Sequence, residues 1–211
     1  RLLSKILLVV LSVNEIKGIH AGTIQILRDT GVMLHHDQAL ELLKQAGAKV
    51  QQDKKIARLP ERLVMESIER AGKKYVLYGR NPERIAKFGY GDFVLMSSPG
   101  QYSWIDTDSS ERRPATIVDT SEAIKLGDAL GNITIVGSMA QPKEISEAWR
   151  DVYLTGELVK GTGKPTRCWV RNEKTSKYIL EIYRIVAGGA KALRDRPMVE
   201  AFLEPISPLQ L

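Results

Sequence analysis

The chain has 211 residues, 43% of them hydrophobic and 27% charged, with a formal charge of +6; this suits a globular protein of one domain or one and a half, with a sizeable core. Its Lys and Arg residues are spread out, the densest groups being pairs such as Lys73-Lys74 and Arg112-Arg113, so the charge reads as a generic basic surface and not as a nucleic-acid face. The single cysteine, Cys168, excludes an intrachain disulfide and a Cys-rich metal site, reads as a buried structural thiol, and fits a cytoplasmic location.

Residues Arg1 to Leu11 set positive charge ahead of a short apolar run, a signal-peptide pattern. No small-residue cleavage site follows and the run is too short to span a bilayer, so no membrane role is expected. Ser12 and Glu15 then have capping-box spacing, and Ile16, Ile19, Ile24 and Leu27 follow at helical intervals up to Gly31. A second helix is expected from Asp37 to Gly47 with Leu40 and Leu43 inward. A third runs from Pro60 to Gly72 with Leu63, Val64 and Ile68 on one face. Residues 1–72 therefore read as an N-terminal helical layer.

Residues 73–118 change character. Tyr75–Tyr78, Phe93–Met96, Tyr102–Ile105 and Ala115–Val118 are short and β-branched or aromatic, separated by glycines and Asp-rich turns as in antiparallel hairpins. One of them is expected to open the sheet that follows. From Asp119 the helical rhythm returns: Asp119 and Glu122 have capping-box spacing, and Ala123, Leu126 and Leu130 share a stripe. Strands at 133–138, 166–171 and 198–204 then alternate with helices at 142–159 and 175–186.

Those three strands begin about 33 residues apart, and helix-length crossovers between them favour a parallel sheet. An open doubly wound sheet has the same alternation, but its phosphate-binding Gly-x-Gly-x-x-Gly is missing, and Gly188-Gly189 follows a helix and reads as a cap. The expected fold class is α/β: a partial TIM (β/α)8 barrel over residues 119–211, preceded by the helical layer and the β-hairpins. A full barrel takes eight strands and about 250 residues. About four strands fit here, so an open edge that pairs with a second copy or a second half barrel is expected.

On a parallel barrel the C-terminal strand ends share one mouth. They are Ser138 and Met139, Arg171 and Asn172, and Glu204 with Ser207. A carboxylate at Glu204 can hold a cation or act as a base; equally, it can be satisfied by a neighbouring strand or an Arg. Ser207, between two prolines, can orient a substrate or serve ordinary turn chemistry. Tyr102, Trp104 and Trp169 offer faces for a quaternary ammonium group, against the alternative that each packs a core. His20, His35 and His36 precede the barrel without metal-site spacing, and no nucleophile elbow, P-loop or kinase signature occurs.

The wording of the chain adds a resemblance. Ile19-His20, Thr30-Gly31-Val32, Leu42-Leu43-x-x-Ala46-Gly47-Ala48, Leu59-Pro60 and Arg112-Arg113-Pro114-Ala115-Thr116 are similar to the trimethylamine methyltransferase family. So are Asp119, Leu130-Gly-Asn-Ile133, Lys164-Pro165 and Glu204-Pro-Ile-Ser-Pro-Leu209. The likeness runs from about Leu11 to the last residue.

That resemblance implies a TIM barrel that binds trimethylamine, glycine betaine or a similar amine in its mouth, in the setting of methylamine metabolism and methanogenesis. A separate corrinoid protein docks there, and Co(I) of its cobalamin takes the methyl group; the barrel itself holds no cofactor. Some members need a pyrrolysine, at a position in the second half of the family barrel. Glu204 and Ser207 would be pocket polar groups, with Tyr102, Trp104 and Trp169 as cage members. The rival reading is a non-catalytic half-barrel subunit or truncated relative that pairs with a second chain. A half barrel with an unrelated small-molecule substrate is a third.

Overall fold

The computed structural model describes residues 10–204 and 209, so the signal-like segment before Val10 and Ser207 lie outside the described residues. The fold comprises two compact units, Arg1–Ala71 with Glu204–Leu211 and Gly72–Leu203.

In the first unit α1 (Val13–Asp29) starts at the expected box. Ser12 Oγ accepts from Glu15 N, and Glu15 Oε2 accepts from Ser12 N at 2.7 Å. Next come β1 (Val32–Met33), α2 (Asp37–Gln45), β2 (Lys49–Gln51), β3 (Ile56–Arg58) and α3 (Glu61–Arg70). His36 caps α2 through its ring nitrogen, and Pro60 stands at the N-cap of α3 rather than inside it. The unit is not purely helical: β1, β3 and β2 form an antiparallel sheet in that order. Strands of two or three residues are too short to show a period of two, which is why the sequence reading missed them. Val32, Leu40 and Ala57 form the core. Gly31 enters β1 at φ +83°, and a β-carbon there would sit 2.4 Å from the Ala57 carbonyl oxygen, so close approach of the strands requires glycine.

The second unit opens with two antiparallel hairpins, β4 (Tyr75–Tyr78) with β5 (Ile85–Phe88) and β6 (Ser103–Ile105) with β7 (Arg112–Pro114). The strand expected at Ala115–Val118 is instead the start of α4 (Ile117–Ala129). Its box is Thr116 with Asp119, three residues ahead of the pair read from sequence, and Arg113 clamps the Asp119 carboxylate at 2.6 and 2.9 Å. The shift rotates the inward stripe to Thr120, Ala123, Ile124 and Gly127, leaving Leu126 exposed.

Then follow β8 (Val136–Gly137), α5 (Arg150–Gly161), β9 (Thr166–Trp169), α6 (Glu173–Ala187), α7 (Ala190–Asp195) and β10 (Val199–Phe202). The chain winds as turns before α5, so that helix begins eight residues later than expected. Gly188 closes α6 in the left-handed conformation at φ +83°, as its reading as a cap required.

The three repeats are neighbours. β8, β9 and β10 lie side by side and parallel, with Thr166 opposite both Val136 and Val199. Residues 95–101 extend the array, bridging in parallel at Met96–Ile135 and Gln101–Ala140. Strand order therefore follows chain order, and the connections run through α4, α5 and α6–α7. Among the described residues the array does not close into a barrel. One face of it is covered: Val136 and Cys168 pack with Ile124, Leu158, Ile179, Tyr183 and Met198 of the helical side. On the other face Ile135 meets Leu77 and Ala86 of the β4–β5 hairpin. At the N-terminal ends of the strands Lys164 is buried, and its ammonium donates to the Gly127 and Leu130 carbonyls that end α4.

Candidate functional site

Period-two alternation decides what β9 presents. Thr166 and Cys168 point at the helices; Arg167 and Trp169 point the other way, and Arg171 follows two residues on. Arg167 Nε lies 2.9 Å from Glu200 Oε2 across the β9–β10 register. The N–H is not aligned for a hydrogen bond, so charge and shape hold the pair. The guanidinium also stacks over Phe202, 4.2 Å from the ring centroid, and Trp169 meets the same ring edge-on at 4.6 Å.

Beyond the strands, the C-terminal ends are laced together. Ser138, fully buried, donates its hydroxyl to the Pro99 carbonyl at 2.5 Å. Trp169 Nε1 donates to the Gly100 carbonyl at 3.4 Å. Arg171 Nη2 donates to Gln141 Oε1 and reaches the Tyr102 hydroxyl at 3.5 Å. Residues 99–102, 138–141 and 169–171 thus gather at one end of the parallel array. Met139 adopts φ +61° there, a conformation a non-glycine residue holds only when its surroundings impose it. Its amide donates to Ser98 O at 3.0 Å, and its sulfur lies 3.2 Å from Ser98 N.

The other expected site residues are placed differently. Asn172 accepts from Thr175 N at 3.0 Å as the N-cap of α6, which occupies its side-chain carbonyl. Trp104 does not stack on Trp169; it lines a cleft of about 460 Å³ with Leu126, Leu130, Met139 and the Arg113–Asp119 pair. The Arg113 guanidinium, with Thr116, holds the Asp119 carboxyl far below the ordinary carboxylate range despite its burial. Glu204 is exposed, two residues past β10, and belongs to the first unit.

Three residues here escaped the sequence reading. Gln141 is 3% exposed and holds Arg171. Buried Asp151, in the first turn of α5, accepts from Arg171 N at 3.3 Å and so ties the end of β9 to the helix. Glu200 is the partner of Arg167. Only Glu200 left a sequence signal, as a lone charge inside an apolar strand. Among the described residues, no three His, Cys, Asp or Glu side chains gather as a metal site, and no helix is long and apolar enough to cross a membrane.

The family model for trimethylamine methyltransferase matches residues 5–211. The chain belongs to the trimethylamine methyltransferase family. It is 29% identical over 198 residues to trimethylamine methyltransferase MttB of Desulfitobacterium hafniense, covering 94% of this chain and 40% of that protein. It is 26% identical over 202 residues to glycine betaine methyltransferase of the same species, covering 95% and 42%. With trimethylamine methyltransferase MttB of Methanosarcina barkeri it shares 26% over 211 residues, covering 94% and 41%. The chain thus spans about two fifths of the length of these curated relatives.

Proposed function

We propose that this trimethylamine methyltransferase family chain contributes the first part of a (β/α)8 barrel. The mouth of that barrel would bind a tertiary or quaternary methylated amine and give up one methyl group to the cobalt of a corrinoid carried by a separate protein. The observation that carries the reading is the order of the parallel segments. Residues 95–101, β8, β9 and β10 follow one another side by side in chain order, as in a barrel, and their C-terminal ends meet around Trp169 and Arg171.

The chemistry asks little of the protein beyond placement. The substrate reacts as an ammonium, quaternary or, for a tertiary amine, protonated; in the transfer a C–N bond breaks, its electron pair stays on nitrogen, and the demethylated neutral amine leaves. When docked, the corrinoid supplies the Co(I) nucleophile. This chain's residues would hold the amine, present one methyl outward and exclude water, which is catalysis by orientation and desolvation. The Trp169 face suits the cation, and its edge contact with Phe202 fixes the ring. Tyr102 and Arg171 would set the orientation.

The test is formation of methylcob(III)alamin from cob(I)alamin, followed by absorbance with trimethylamine or glycine betaine as donor. The chain would be assayed alone and joined to the remainder of a relative. Transfer is expected in the joined form, with Trp169→Ala lowering it at least about tenfold, the loss of one good cation–π contact plus its packing. Absence of transfer and of amine binding in both forms would refute the proposal.

A further inference from the structure

Resting on the barrel reading above, we infer that the outer flank of α4 and the free edge of residues 95–101 form one docking seat. Its occupant is a strand–helix unit from the remaining length of a family chain. The strand adds in parallel to the edge, and its helix fills the cleft beside Trp104.

Hydrogen bonds define the edge. Met96 bridges Ile135 in parallel, and the bonds come from its neighbours: Ser97 N donates to Ile135 O at 3.1 Å, and Leu95 O accepts from Ile135 N at 3.2 Å. On one side of a parallel ladder the bonds belong to alternate residues, so the N–H and C=O of Met96 itself point away from β8. No strand pairs with that side among the described residues. Bridged residues turn their side chains to the same face. Met96 therefore shares the face of Ile135, while Leu95 and Ser97 face the helical side.

The helical side has a matching gap. Helix α5 packs against both α4 and α6. On the flank of α4 away from α5 lies the cleft of about 460 Å³, lined among others by Ser97, Trp104, Leu126, Leu130 and Met139. Leu126 is 60% exposed and Leu130, one turn on, 43%. Both belong to the stripe that the sequence placed inward, and the cap at Thr116 turns them to the cleft instead. Helix α4 thus has one apolar side against the array and a second against the cleft. A helix keeps a second apolar side where a second neighbour covers it.

Topology names the occupant. A free parallel edge takes a strand whose connection runs through a helix, on the layer where α4, α5 and α6 already lie. In a closed barrel the strand beside the first is the last, so the unit comes from a part of the chain far from residue 95. The curated relatives have the length to supply it, since this chain covers 40% and 42% of the two from Desulfitobacterium hafniense.

Thiol labelling of Leu126→Cys tests the seat, because native Cys168 is buried and stays silent. The variant is compared alone and joined to the remainder of a relative, with Lys177→Cys on exposed α6 surface as the control. A maleimide should react with Leu126→Cys at least about tenfold more slowly in the joined form, the scale of protection by a packed neighbour, and with Lys177→Cys equally in both. Leu126→Glu, at an exposed position, should leave the chain alone folded by circular dichroism and lower the urea midpoint of the joined form. Equal labelling of Leu126→Cys in the two forms overturns the seat. So does protection in the chain alone that rises with its concentration, which assigns the cleft to a second copy. Methyl transfer by a joined form whose Leu126→Cys thiol stays open defeats this inference alone; protection without transfer upholds the seat and counts only against the methyl-transfer reading.

Discussion

On one face of β9, Thr166 and Cys168 are buried beneath α5 and α6, and the Thr166 hydroxyl meets the Tyr183 hydroxyl at 2.5 Å. On the other face, Arg167, Trp169 and then Arg171 carry charge and aromatic surface. There Arg167 and Glu200 sit close without an aligned hydrogen bond, and the Gln141 amide nitrogen lacks a partner. A core face rewards satisfied, close-packed groups. The opposite face leaves polar atoms without aligned partners, so packing satisfies the two faces of β9 to different degrees.

Removing volume from the helical side should have the largest effect. Leu158→Ala, at a fully buried position, should cost about 3 kcal/mol by combined transfer and cavity terms, read as a drop in urea midpoint with unchanged slope. The same assay on the second face should give a different pattern. Glu200→Gln alone should cost about 2 kcal/mol by stranding Arg167, whereas Arg167→Met with Glu200→Leu should recover most of it. If the double variant is as unstable as the single one, the pair is part of the packing and the contrast between the faces fails.

Smaller effects sharpen the comparison. Tyr183→Phe should cost about 1 kcal/mol, because Thr166 keeps its contact with the Met198 carbonyl at 3.3 Å. Cys168 adds a pH signature. Burial pushes its thiol up to about 12, against a weaker opposing bond to Thr155. The unfolded thiol titrates near 8.5, so the unfolded state loses its proton first. The contribution to stability is full below that value and is lost as pH rises towards 12. Cys168→Ala should flatten that alkaline decline while changing neutral stability little. Native Cys168 should also resist alkylation at pH 8, and rapid labelling there would contradict its burial.

Legibility in the sequence tracked the length of the signal. The capping box at Ser12, the glycine stop at Gly188 and the three repeated strands were readable because each is a local pattern of fixed spacing. The sheet of β1, β2 and β3 was not, since its strands are too short to alternate. The start of α4 was misread because Asp119 fits two boxes, and only Arg113 packing onto it selects Thr116 as the cap. Tyr102, Trp169 and Arg171 could be proposed from strand-end position. Gln141 could not, since its place beside Arg171 depends on Gly100 and on turns without periodicity.

By itself the sequence determined the family, the α/β alternation and the parallel repeats, because these rest on residue identity and on spacings of a few to some thirty residues. Tertiary structure alone decided which polar groups find partners. The pairing of Arg167 with Glu200 and the hold of buried Gln141 on Arg171 depend on distances between residues 30 or more apart in the chain, which no local pattern encodes.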